Sequence, residues 1–321
     1  MGTAWLDQPY DLSTKRIWVA GHAGMVGAAL CRRLAGDCRE VLTISHDDLD
    51  LRDQGAVNNW MAENKPDVIV IAAAKVGGIM ANSMQPAAFF YDNMMIVANI
   101  MHAAHKNKTS RLLFLGSSCI YPRNSEQPIK EDSLLSGALE PTNEGYALAK
   151  IAGLKMAEYY RAQYGCDFIS AMPCNLYGVG DTYDAEQSHV IPAMIMKIDK
   201  ALEERAPSVT LWGSGTPLRE FLYVDDLADA LILLLRRYNG AQHINVGSGE
   251  EVSIKSLAEK VRDVVGYKGK GGIVFDPSKP DGMPRKVLDC QRLLDAGWHP
   301  KTCLGDGLVQ CYQDYKRLKS L

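Results

Sequence analysis

Ser117 and Cys119 stand two residues apart at the end of an apolar run, and Tyr146 and Lys150 stand four apart in a helical pattern. A phenol ionises near pH 10 and is a poor acid-base group at neutrality, but an ammonium one helical turn away stabilises the phenolate and makes it usable. On an extended backbone, residues i and i+2 point to the same side. The Ser117 hydroxyl and Cys119 thiol so placed could both touch one ligand while Ser118 turns away. His189, on the loop segment Ser188-His189-Val190-Ile191-Pro192, is the candidate second proton carrier.

These groups need a scaffold that delivers them to one edge. Leu113 to Ile120 reads as a buried strand with Gly116 freeing its end, where open α/β sheets place their ligands. Arg16 to Ala20 reads as the first strand, and the seven residues Gly21, His22, Ala23, Gly24, Met25, Val26 and Gly27 precede a helical pattern from Ala28 to Leu34. Three glycines so placed supply a tight turn, close approach of a diphosphate to the backbone, and packing of helix on strand. The spacing is GxxGxxG rather than GxGxxG, and its position between strand and helix predicts a dinucleotide site.

Glu40 to Ile44 reads as a second strand, whose end meets the adenosine ribose. A carboxylate there selects a free 2′-hydroxyl, and a cation selects a 2′-phosphate. Ile44-Ser45-His46-Asp47-Asp48 meets neither rule cleanly, and Ala23 brings no charge. His46 is the one nearby group able to turn positive, weakly at neutral pH, so NADP and NAD both stay open. Asp67 to Ala74 reads as a third strand with a small exit at Ala72, Ala73 and Ala74, followed by a mobile polar turn, Lys75-Val76-Gly77-Gly78. Helices are expected over Phe89 to His105 and from Tyr146 to near Tyr164, with a proline-bearing loop of about two dozen residues before the second, long enough to suggest a functional surface. Asp167 to Met172 is a further strand, ending at Pro173-Cys174-Asn175-Leu176 on the same ligand edge.

After Val179 the regular alternation stops. Trp212 and Arg219 suit a planar base and a diphosphate, and a proline-rich turn from Phe275 to Gly282 can offer Asp281 to a sugar hydroxyl or guanine. His243 to Gly247 reads as a strand returning to the first domain, and Gln291 to Leu321 as an amphipathic helical tail. The expected fold is therefore α/β. A doubly wound parallel Rossmann sheet covers 15–178, with 225–247 returning to it, and a smaller, interleaved C-terminal α/β substrate domain covers 179–321. Residues 1–14 read as a loose arm.

Among 321 residues the formal charge is only −3, which leaves no basic footprint for nucleic acid or an acidic membrane. Eight scattered cysteines without a CxxC pair and seven isolated histidines suggest no metal centre and a reduced compartment. Val68 to Ala74 is too short to span a bilayer, and the cytoplasm is the expected location.

With these motifs assembled, the chain resembles the extended short-chain dehydrogenase/reductases along nearly its whole length, and within them the GDP-L-fucose synthase family. The resemblance is carried by Ala20 to Gly27, Ala72 to Gly78, Leu115 to Pro122, Glu140 to Glu144, Ser188 to Pro192, Trp212 to Pro217 and Ser278 to Gly282. The glycine loop and YxxxK mark only the superfamily, whereas the cysteine of SSCIYP and the histidine of SHVIP are far more specific. The resemblance implies 3,5-epimerisation of GDP-4-keto-6-deoxy-D-mannose, with Cys119 as base and His189 as acid, followed by NADPH-dependent reduction at C4 by Ser117, Tyr146 and Lys150. It implies a cofactor site lined by Gly21 to Gly27, His46, Ala72, Ala73, Leu115, Gly116, Lys150, Pro173, Asn175, Leu176 and His189. Asn175, Lys197, Trp212, Arg219 and Asp281 would hold the GDP-sugar, and the helices Phe89 to His105 and Glu144 to Tyr164 would pair in a homodimer. The family usually carries arginine where this chain has Ala23, and commonly another near His46. NADP(H) is therefore expected and NAD(H) stays open.

Two rival readings remain at this point. A 4,6-dehydratase would place Asp-Glu where Ser118-Cys119 stand, and a 4-epimerase would consume no reduced cofactor. A non-catalytic cofactor sensor would have no use for the Ser117, Tyr146 and Lys150 relay.

Overall fold

The computed structural model describes residues 4–184, 188–279 and 281–320, with residue 79 described by its backbone alone. The first three residues of the expected arm and Pro280 of the SKPDG segment lie outside the described residues. The strands are β1 (Arg16–Ala20), β2 (Glu40–Leu42), β3 (Val68–Ile71), β4 (Arg111–Leu115), β5 (Phe168–Pro173), β6 (Asn175–Tyr177), β7 (Ser208–Trp212), β8 (Leu218–Tyr223), β9 (Ile244–Val246), β10 (Glu251–Ser253), β11 (Gly272–Asp276) and β12 (Arg285–Lys286).

Strands β3, β4 and β5 are buried along their whole length, as strands covered on both faces must be. They belong to a sheet of order β2-β1-β3-β4-β5-β9 in which every neighbouring pair is parallel. The order reverses between β1 and β3, so the ligand crevice of this Rossmann-like α/β fold opens beyond Ala20 and Ile71. The helix Glu144–Tyr164 lies close over the sheet because Gly153 has no side chain. A methyl there would come 2.7 Å from Phe114 Cζ.

The chain leaves this sheet at Pro173. β6 continues into a second, smaller sheet centred on β8, which pairs with β6 and β12 in parallel and with β10 antiparallel. β7 and β11 form a separate parallel pair. A second apolar core, including Ile195, Ile198, Leu257, Val261 and Leu308, lies under these strands. The helix Val224–Arg237 and β9 return to the first core, and so do Leu288, Cys290, Leu293 and Trp298. Among the described residues, no helix is long and apolar enough to cross a membrane.

Four local expectations differ from the structure. Residues 4–12 of the supposed loose arm are held down: Leu12 is 1% exposed, Trp5 packs edge-on against Tyr238 at 5.0 Å, and the Leu6 and Tyr10 amides donate to Arg237 and Arg236 carbonyls. The strand expected to reach Ile120 stops at Leu115, and Ser118–Ile120 forms a 3₁₀ turn. Lys75 is pinned rather than mobile, its backbone bonded on both sides by the Asn93 amide at 3.0 Å and its ammonium paired with Asp92 at 3.1 Å. The tail is two helices, Gln291–Asp295 and Leu304–Lys319, with Gly297 at φ +86° in the break.

Candidate active site

The 3₁₀ turn, not a strand, presents Ser117 and Cys119. Ser117 caps it, its Oγ accepting from the Cys119 amide at 3.3 Å. Ser118 and Ile120 are buried while Ser117 and Cys119 stay partly open. Strand alternation does not apply to this turn, but both groups act on the Tyr146 phenol. The Cys119 sulfur accepts from Asn143 Nδ2 at 3.2 Å and lies 3.8 Å from Lys286 Nζ.

Tyr146 and Lys150 project from the first turns of the helix Glu144–Tyr164. Lys150 is buried, donates to the Leu115 carbonyl at 2.8 Å, and sits 5.7 Å from the centre of the Tyr146 ring. Burial pushes its ammonium down to about 8, with negative charge at Cys119 pulling the other way. The phenol of Tyr146 is raised by burial, raised further by charge at Cys119, and lowered by its hydrogen bond to Ser117. The expected downward push on tyrosine by lysine is not among these causes, and desolvation sets the direction.

His189 caps the helix Val190–Glu203 and is exposed. Among the described residues no hydrogen bond joins it to Ser117, Cys119 or Tyr146. Its electrostatic partner is Asp181, whose carboxyl is raised by burial and lowered by a bond from the Thr182 amide and by His189.

The glycine loop divides its tasks as the motif requires. Gly21 adopts φ +89°, and a Cβ there would lie 2.6 Å from Ala73 Cα, so loop and β3 exit touch. A Cβ on Gly27 would fall 2.0 Å from the Gly21 carbonyl oxygen. Gly24 is different: its nearest neighbour would be an ordinary 3.6 Å away, and its φ of −78° suits any residue. Nothing among the described residues requires glycine at 24, but a diphosphate approaching the N-terminus of the helix Met25–Leu34 would. His22 Nδ1, buried without a hydrogen-bond partner in the same loop, fits an absent ligand as well. Met25 and Val26 open the helix. Ala72, Ala73, Leu115 and Gly116 lie at the carboxyl ends of β3 and β4, and Pro173, Asn175 and Leu176 where β5 hands over to β6. Ala23 and His46 are exposed.

The remaining predicted residues gather on the smaller sheet. Trp212 ends β7, 55% exposed, with Lys197 Nζ 4.8 Å and Lys279 Nζ 5.5 Å from its ring. Asp281 Oδ1 accepts from the Ser214 amide at 2.7 Å, and Arg219 Nη2 reaches the Asp281 carbonyl at 3.4 Å. Burial lowers both Arg219 and Lys197, and Asp281 only partly restores the arginine. A desolvated lysine beside an open indole, with Arg219 on β8, has the chemistry to receive an anion carrying a planar base. Asn175 Nδ2 donates to the Glu220 carbonyl at 2.9 Å, tying the β5–β6 crossing to β8.

A family model, the NAD dependent epimerase/dehydratase family, matches residues 17–247. The chain belongs to that family. It is 52% identical over 306 residues to a GDP-L-fucose synthase of Sinorhizobium fredii, covering 95% of this chain and 97% of the relative. A GDP-L-colitose synthase of Yersinia pseudotuberculosis is 39% identical, with 95% and 99% covered. The solved structure of a GDP-L-fucose synthetase from Naegleria fowleri bound to NADP superposes with a TM-score of 0.90 at 26% identity, covering 98% of each chain. This member of the epimerase/dehydratase family is a nicotinamide-dependent enzyme, and the glycine loop described above has the shape to hold that cofactor.

Sequence reasoning missed Asn143, Lys279 and Lys286. Asn143 stood within the matching segment Glu140 to Glu144, but with no role beyond the ordinary signal of an asparagine before a helix. Lys286 gave none, because it reaches Cys119 only through the pairing of β12 with β8, where it stands opposite Arg219.

Proposed function

We propose that the chain converts GDP-4-keto-6-deoxy-D-mannose to GDP-L-fucose, by epimerisation at C3 and C5 followed by reduction at C4. The observation that carries this reading is the sulfur of Cys119, flanked by an amide and an ammonium, on the same turn as a serine whose hydroxyl lowers the Tyr146 phenol.

The C4 ketone acidifies the protons on C3 and C5. Cys119, as thiolate, takes one of these protons. His189 returns a proton to the opposite ring face, which inverts the centre. Between the two inversions the thiol loses its proton to solvent while the exposed His189 regains one, so that the pair acts again at the second carbon. Ser117 donates to the ketone oxygen and stabilises the negative charge that develops there. Burial, and after it charge at Cys119, raises the Tyr146 phenol, so the tyrosine keeps its proton while epimerisation proceeds. Bound NADPH or NADH supplies hydride to C4. Tyr146 then gives its proton to the C4 oxygen, and Lys150 stabilises the resulting phenolate and holds the nicotinamide ribose. Arg219 and Lys197 take the diphosphate, Trp212 the guanine face and Asp281 a polar edge of the nucleotide.

The reading extends to a cytoplasmic homodimer through the helices Pro86–Lys106 and Glu144–Tyr164. Phe90, Tyr91, Leu148 and Tyr159 on these helices are exposed, which supports it. A 4-epimerase on the same scaffold consumes no reduced cofactor. Stoichiometric loss of nicotinamide absorbance with this substrate, together with GDP-L-fucose as product, is the expected result. Recovery of substrate with cofactor unconsumed would overturn the proposal.

A further inference from the structure

We propose that Asn143 is a positioning residue that, with Lys286, holds the Cys119 sulfur in its proton-accepting thiolate form. The proposal deepens the epimerisation reading and rests on it only for what the sulfur does to a sugar.

Three observations carry it. Asn143 occupies the N-cap of the helix Glu144–Tyr164, where an asparagine side chain ordinarily accepts from the first helical amides, yet it makes no such bond. Its amide nitrogen goes instead to the sulfur at 3.2 Å. Its Oδ1 is left buried without a hydrogen-bond partner, an arrangement that sacrifices a carbonyl to keep the N–H on sulfur.

The second contact on the sulfur is also a donor. An ammonium has no acceptor capacity, and Lys286 Nζ stands at 3.8 Å. Both contacts on the sulfur are therefore donors, and a thiolate accepts from two donors more strongly than a neutral thiol does. The two donors arrive by independent routes, Lys286 through the pairing of β12 with β8 and Asn143 through the turn Pro141–Asn143. That turn is fixed by its own bonds. Asn143 N donates to the Glu140 carbonyl at 3.2 Å, and the Glu140 carboxylate accepts from Thr142 Oγ1 at 3.2 Å.

The test replaces one atom. Asn143→Asp keeps the shape and puts an acceptor where the donor was, and Lys286→Met removes the other donor without touching the turn. Alkylation by iodoacetamide at neutral pH is followed on the Cys119 peptide by mass spectrometry, with the exposed Cys303 as internal reference. Each variant should slow Cys119 alkylation by about tenfold or more and leave Cys303 unchanged. Deuterium exchange at C3 and C5 of the keto-sugar should fall in parallel. Should Asn143→Asp lower the melting temperature, Lys286→Met carries the test alone. Wild-type alkylation of Cys119 in both variants would overturn the proposal. Slow alkylation with undiminished exchange would support it and sink the epimerisation reading instead.

Discussion

The Lys150 ammonium lies 5.7 Å from the centre of the Tyr146 ring and is held there by the Leu115 carbonyl at 2.8 Å. Sequence spacing alone places these two groups on one helix face. Their depth is set by Gly153 and Phe114, which let the helix settle onto β4, and depth reverses part of the expected electrostatics. The lysine falls to about 8 because its charge is taken out of water, and the phenol rises for the same reason.

This burial has a sign that can be measured. A lysine whose folded value lies below its unfolded value of 10.5 costs stability where both states are protonated, below about pH 8. The cost fades as pH rises from about 8 to 10.5 and reaches at most about 3 kcal/mol. Lys150→Met, which also loses the bond to Leu115, should therefore raise the melting temperature at pH 7 by a few degrees while abolishing reduction. An unchanged or lower melting temperature would show that the ammonium is better solvated than the fold implies. In the wild type, reduction should decline above about pH 8 as the ammonium is lost.

Tyr146→Phe removes the proton needed at the C4 oxygen and little else. Reduction should fall by about a thousandfold or more, within the range of a lost general acid. Deuterium incorporation at C3 and C5 should persist, as measured by NMR of the recovered GDP-sugar. Full turnover by this variant would remove the phenol from the mechanism.

Two glycines three residues apart should behave differently. Gly27→Ala forces a methyl to 2.0 Å from the Gly21 carbonyl oxygen and should destabilise the fold by about 2 kcal/mol or more. Gly24→Ala meets nothing closer than 3.6 Å and should melt like the wild type, yet bind nicotinamide dinucleotide about tenfold more weakly. Calorimetric titration and thermal melting of both variants separate the two roles.

Ala23 and His46 leave the expected 2′-phosphate position without a fixed cation, and Asp47 and Asp48 follow directly. NADPH and NADH should then bind within about tenfold of each other, and Ala23→Arg should favour NADPH by about tenfold or more through a charge-assisted bond. A thousandfold preference for NADPH in the wild type would mean that another group takes the phosphate.

The glycine loop, the parallel sheet and the YxxxK helix were legible because each is a local pattern of period, breaker and strand order. Other features depended on the assembled fold. Ser117 turned the backbone into a 3₁₀ cap by accepting from the Cys119 amide, so the thiol faces the site from a turn that strand periodicity does not describe. Lys286 reaches the sulfur only after β12 has paired with β8. The N-terminal segment looked loose because it is polar, yet Trp5 and Leu12 find their places against Tyr238 and the first core.

On the proposed mechanism the Cys119 sulfur is the base for both epimerisations. The most direct test of that role is deuterium wash-in from heavy water into C3 and C5 of GDP-4-keto-6-deoxy-D-mannose, comparing wild type with Cys119→Ser before any reduced cofactor is added. The account predicts exchange at both carbons in the wild type and loss by about a hundredfold or more in the serine variant, as for other removed acid-base groups. Equal exchange in the two proteins would contradict it.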